Sequence, residues 1–270
     1  MAQSLFATLF PADCRICGDR LLRISRLPVC EVCLEAMRPI EGGLCSICGE
    51  RLVSPHAFAE AGEMRCGLCR RIEAPYKRAI AYGSYEGGLR DLIHMLKYQQ
   101  VRPAANVLGR MLGEVVASLE PFFETARVHV VPVPLHRSKL QHRGFNQAEL
   151  VSRAALKLSP SRDRYLLCAD GLERVRETQS QTGLTRHQRR ENMRGAFRVR
   201  HPEQISGREV LLVDDVFTTG TTVSECARIL HRAGAAKVWV ATVARTLKAE
   251  VQHAQLEPAP DTDMTMAAHG

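Results

Sequence analysis

From Ala79 to Val243 the chain alternates two rhythms of apolar and polar positions. Short apolar or β-branched runs at Ala79–Ser84, Val128–Val131, Tyr165–Ala169, Gly195–Val199, Val210–Val213 and Lys237–Val243 predict strands. Between them, apolar residues recurring at three- and four-residue spacing predict helices over Leu89–Tyr98, Ala104–Leu119, Phe145–Leu158 and Val223–Ala233. Pro103 opens the second of these helices and Gly234 stops the last. Strands alternating with helices predict an α/β domain over residues 75–247, its parallel sheet covered on both faces. A ligand then belongs at the strands' carboxyl ends. Residues 1–74 lack this rhythm and form a separate cysteine-rich module. Residues 248–270, polar and broken by Pro258 and Pro260, predict a disordered tail.

Eight of the ten cysteines precede residue 70, in the C-x-x-C pairs Cys14/Cys17, Cys30/Cys33, Cys45/Cys48 and Cys66/Cys69. Twelve residues separate Cys17 from Cys30 and seventeen separate Cys48 from Cys66, close to the spacing of four-cysteine zinc ribbons. About two structural Zn²⁺ ions per chain are expected, because four sulfurs leave no open position for a reacting water. The pairs are read as sequential sets, the first four and the second four, with an interleaved pairing as the alternative. His56 is either a substitute ligand or a loop histidine. A segment this poor in apolar residues folds around its metal, and its core is expected to be distinct from that of the following domain. A redox role is the competing reading for one C-x-x-C pair, and four pairs weigh against it. Cys168 and Cys226 read as ordinary buried thiols.

Composition adds three limits. A hydrophobic share of 45% suffices for a sizeable core, and a net charge of +8 suits anionic partners such as phosphates or nucleic acid. Aromatics at 5% leave no obvious stacking surface for single strands. No run approaches the roughly 18 apolar residues of a membrane span, and the apolar Leu5–Phe10 patch lacks the basic start of a signal peptide. A cytoplasmic location is expected.

Candidate chemistry concentrates in Glu209–Thr222, where four aliphatics end on Asp214 and Asp215 and a Thr/Gly loop leads into a helix. The hydroxyls of Thr218, Thr219, Thr221 and Thr222, with the amides around Gly220, can wrap one phosphate at the helix N-terminus. The two carboxylates, placed at the strand's end, can accept hydrogen bonds from sugar hydroxyls. Together they ask for a phosphorylated ribose. An apolar run ending in two acids also occurs in P-loop NTPases, but neither G-x-x-x-x-G-K-[ST] nor G-x-G-x-x-G is present. A capped strand-turn-helix with no ligand would need fewer polar residues than these.

Two basic stretches accompany it. Pro134–Arg153 sets Arg137, Lys139, Arg143 and Arg153 against Glu149 and joins a strand to a helix, where a second phosphate-type anion fits. Gly171–Arg200 holds eight arginines and three glutamates. Its Thr178–Arg194 portion reads as a mobile lid over an anionic ligand, with plain disorder or a nucleic-acid contact as competing readings.

At Asp214–Thr222 the chain resembles the type I phosphoribosyltransferases, in which paired acids hold the ribose hydroxyls of 5-phosphoribosyl-1-pyrophosphate (PRPP) and the loop holds its 5′-phosphate. Further motifs narrow this resemblance. They are Arg143-Gly144-Phe145-Asn146-Gln147, the Thr178-to-Phe197 stretch, and Tyr85-x-x-x-Leu89-x-x-x-Ile93-x-x-x-Lys97-Tyr98. With the cysteine pairs, they make the chain similar to the ComF family from Leu9 to Arg245. That resemblance implies a type I phosphoribosyltransferase-like domain behind a double zinc ribbon, binding PRPP with Mg²⁺. It implies Asp214, Asp215 and Arg143 as catalytic residues. Thr218, Thr219, Gly220, Thr221, Thr222, Arg137, Lys139 and Lys97 would contact PRPP. It also implies a link to DNA uptake in competence, with single-stranded DNA or the uptake machinery as partners. No segment spells out a purine, pyrimidine or orotate pocket, so the acceptor stays open. The rival reading is a non-catalytic nucleic-acid-handling protein that uses the transferase fold as sensor or scaffold.

Overall fold

The structure is a computed structural model and describes residues 12–21, 23, 25–52, 64–178 and 185–247. His56, the 248–270 tail and residues 179–184 of the expected lid lie outside the described residues.

Five strands form one parallel sheet in the order β1 (Ala79–Ser84), β7 (Lys237–Arg245), β6 (Glu209–Phe217), β2 (Val128–Pro132) and β3 (Tyr165–Leu167). Its central strands read as unbroken Val/Leu/Ala runs because both faces are covered, as parallel sheets require. Helices α3 (Gly87–Tyr98), α4 (Ala104–Leu119) and α6 (Gln147–Leu158) cover one face, where Leu92, Ile93, Leu108 and Leu112 pack with Leu211 and Val213. Gly109 lets α4 and α6 approach closely, since a Cβ there would lie 2.4 Å from that of Ala154. The other face takes α9 (Thr221–Arg232), the short α8 (Pro202–Ile205) and the hairpin of β4 (Leu172–Arg174) and β5 (Phe197–Val199).

Two short helices lie in the cysteine-rich module, α1 (Glu31–Glu35) and α2 (Gly67–Arg71). Contrary to the expectation of a separate core, Cys14, Val29 and Met37 belong to the α3–α4 cluster, and Cys45, Cys48 and Cys69 to the α9 cluster. The module also covers the open edge of the sheet. The Ile40 amide donates to the Tyr82 carbonyl (2.7 Å) and the Ala79 amide to the Ile47 carbonyl (2.7 Å), so β1 is not left as a bare edge.

Two further elements were not anticipated. Helix α5 (Arg137–Arg143) occupies the basic turn after β2, started by His136 and ended at Gly144. Helix α7 (Arg186–Met193) occupies the second half of the polar stretch, started by a capping box between Thr185 and Gln188. Met193, the last residue of α7, and Ala196 just after it are fully buried. No described helix is long and apolar enough to cross a membrane.

Candidate functional site

The carboxyl ends of β1, β2 and β6 converge with the first turn of α9. Strand β6 does not stop before the acids, as the sequence reading had it, but runs on through Phe217. Successive residues of a strand face opposite sides, and the two acids accordingly have different neighbours. Asp215, 5% exposed, accepts an ion pair from Lys97 Nζ at 2.8 Å. Burial works against the Lys97 charge, but Asp215 beside it holds its pKa above the ordinary lysine value. Lys97, expected to contact PRPP, thus stands beside one of the two acids. Asp214 accepts the Asp215 amide at 2.9 Å and lies near Arg174 and Cys226. Burial, with the adjacent Asp215 charge second, pushes its pKa up to about 8.

Thr218, Thr219 and Gly220 connect the strand to α9, and the Thr219 and Thr221 hydroxyls lie 2.9 Å apart. Gly220 has φ +73°, which only glycine adopts freely, and a Cβ there would lie 2.6 Å from Phe217 Cζ. The turn thus sets the first amides of a twelve-residue helix directly after the threonine loop.

Arg143 lies at the site's rim, donating to Gln147 Oε1, with its guanidinium 5.7 Å from the Tyr98 ring centre. Tyr98 continues inward to His94 (ring centres 5.3 Å apart), whose Nε2 is 2.9 Å from the Tyr85 hydroxyl. Asn146 and Phe145 of the same motif are structural. Asn146 caps α6 and donates to the Val133 carbonyl (3.1 Å), and Phe145 is buried under Arg102. Arg137 is not gathered in. It is largely exposed and pairs with Glu173 at 3.1 Å. Lys139 is exposed as a residue, and desolvation of its amine, together with Arg174 and Arg143 nearby, lowers its pKa.

Arg174 was not singled out in the sequence, where it is one arginine among eight. Its backbone bridges His136, its side chain donates to Thr178 Oγ1, and burial lowers its pKa, opposed by Cys226 and Asp214. That bridge and the pairing of β4 with β5 join segments distant in sequence and hold Arg174 where it lies near Asp214. The Arg176 guanidinium donates to the carbonyls of Asn192 (2.7 Å) and Arg194 (2.9 Å), and the Gly195 amide donates to Glu225 (3.1 Å). The described part of the expected lid is therefore docked on α9.

The cysteines gather in sequential sets, Cys14/Cys17/Cys30/Cys33 and Cys45/Cys48/Cys66/Cys69, with all Sγ atoms of each set within 4.8 Å of one another. Separations of 3.9 Å (Cys14–Cys33), 3.7 Å (Cys17–Cys30) and 3.7 Å (Cys48–Cys66) fit the ~3.8 Å edges of a sulfur tetrahedron with ~2.3 Å zinc–sulfur bonds. In the second set, hydrogen bonds from Cys48 and Cys69 hold Cys45 low and the same contacts push Cys69 up, the crowding that a shared cation relieves.

Comparison with known proteins agrees with this arrangement. A double zinc ribbon domain matches residues 5–70 and a phosphoribosyl transferase domain matches residues 163–263. The DNA utilization protein YhgH of Escherichia coli K12 is 34% identical over 241 residues, covering 88% of this chain and 98% of its own. The chain belongs to the ComF family. Competence protein F of Haemophilus influenzae is 30% identical, across 80% of this chain and 96% of that protein.

Proposed function

We propose that this ComF-family protein binds PRPP, or a closely related ribose phosphate, where β6 meets α9. The observation that carries the reading is the Thr218–Thr222 turn, which follows Asp214 and Asp215 at the end of β6 and brings the Thr219 and Thr221 hydroxyls within 2.9 Å of each other at the start of α9. In this reading the 5′-phosphate sits at that turn and the acids orient the ribose hydroxyls. Arg143 and Lys139 supply positive charge for the diphosphate at the rim, with Arg174 beneath it. Arg137, committed to Glu173, contributes only to the wider field.

Mg²⁺ fits this donor set, because Asp214 is an oxygen ligand whose ionised form a cation would favour. When bound it neutralises charge on the diphosphate. The chain's own residues hold the ribose and the departing diphosphate in position, so transfer to a nucleophile would draw on placement and field rather than a protein nucleophile. Two zinc ions hold the ribbons, and reduced thiolates of this kind belong in the cytoplasm. Calorimetric titration with PRPP is expected to give saturable, Mg²⁺-dependent binding. No heat at millimolar PRPP in folded protein would reject the reading.

The exposed Arg190 of α7, the net charge of +8 and the name of the Escherichia coli relative favour a second reading, in which the same fold handles single-stranded DNA during uptake or utilization. Filter binding across a salt series distinguishes the two, since affinity resting on nucleic-acid phosphates falls steeply with salt.

A further inference from the structure

We infer that Arg245 is a positioning residue for the phosphate loop, one that makes the loop's hold on phosphate depend on the folded second zinc ribbon. The inference rests on the PRPP reading above. Arg245 ends β7 in register with Phe217 at the end of β6 and is 4% exposed. Its side-chain hydrogen bonds run into the second ribbon, from Nη1 to the Cys48 carbonyl and from Nη2 to Glu50 Oε2 at 3.0 Å. Its guanidinium lies 4.7 Å from the centre of the Phe217 ring. That ring carries the loop, because it lies directly against Gly220. Tyr76, just beyond the ribbon's last cysteine, meets Phe217 edge-on with ring centres 6.4 Å apart. Cys48, Cys69, Thr218, Thr219 and Arg245 all line one cavity of about 80 Å³, so ribbon and loop face each other directly.

A buried guanidinium is retained only while its acceptors stay in place. Cys48 is a member of the sulfur set and Glu50 lies two residues beyond it, so both are held by the fold of that knuckle. If the second ribbon loosens, Arg245 loses its acceptors and must turn toward water. Phe217 then loses its cover and Gly220 its support. Two sites joined this way are linked, and linkage in binding is reciprocal. A ligand that steadies the loop must therefore help the second ribbon keep its zinc.

The test follows zinc release from full-length protein into a chromophoric chelator, with and without PRPP and Mg²⁺, alongside calorimetric PRPP affinity. In wild type, saturating PRPP is expected to slow release of one of two zinc ions at least three-fold. Arg245→Gln is expected to abolish that slowing and to weaken PRPP binding about ten-fold. Glu50→Gln, which leaves Arg245 its Cys48 acceptor and Phe217, should weaken both effects in part. It decides the matter if Arg245→Gln does not fold. PRPP binding without any change in zinc release overturns the coupling and leaves the PRPP reading intact. Full wild-type slowing in Glu50→Gln likewise overturns it. Absence of PRPP binding to wild type rejects the underlying reading, and the coupling with it.

Discussion

Asp214 and Asp215 are neighbours in sequence but differ in environment, and each difference has a measurable consequence. Asp215 faces Lys97, so Asp215→Asn leaves a half-buried ammonium without its counter-ion and should lower stability by roughly 3–5 kcal/mol in urea unfolding. Thr219→Val touches neither charge. It should weaken PRPP by roughly 1–2 kcal/mol in calorimetry while the urea midpoint stays near wild type. Asp214 has a folded-state pKa of about 8 against an ordinary 3.8, so the folded chain holds its proton more tightly than the unfolded chain. The stability this contributes is full below the ordinary value and is lost as pH rises through about 8. Asp214→Asn should remove that decline, and parallel urea-midpoint profiles for variant and wild type across this window would count against the assignment.

At the scale of elements, the strands and long helices were legible because they bury apolar faces with clear periods. Ala104–Leu119 matches α4, and Ala79–Ser84 matches β1. Helices α5 and α7 were not legible, because their sequences are almost wholly polar. They form through local caps, and α7 also rests on α9. Met193 is the anchor of α7. Met193→Ala should cost roughly 2–5 kcal/mol and speed tryptic cleavage at Arg189 and Arg190. PRPP with Mg²⁺ should slow that cleavage in wild type if residues 178–194 cover the ligand. Protection by single-stranded DNA alone would favour the nucleic-acid reading.

For the whole molecule, the ribbons are part of the domain's core rather than an appended module. Elemental analysis should find about two zinc ions per chain, and a value near zero in reduced protein would exclude the metal. Cys45→Ser should lose one ion and lower the thermal midpoint of the entire chain, not of the first 74 residues alone. The amino-acid sequence by itself determined the α/β alternation, the four C-x-x-C pairs, the Asp-Asp-Thr-Gly turn and the family, because period, spacing and motif are local properties of a chain, whereas the grouping of those pairs into two sets came from the structure. It could not determine that Lys97 is committed to Asp215, that Arg137 is drawn off by Glu173, or that Arg174 and Arg245 reach the site. Those pairings join residues from 36 to nearly 200 positions apart, and which cation meets which acid is decided only when the sheet brings distant strand ends together.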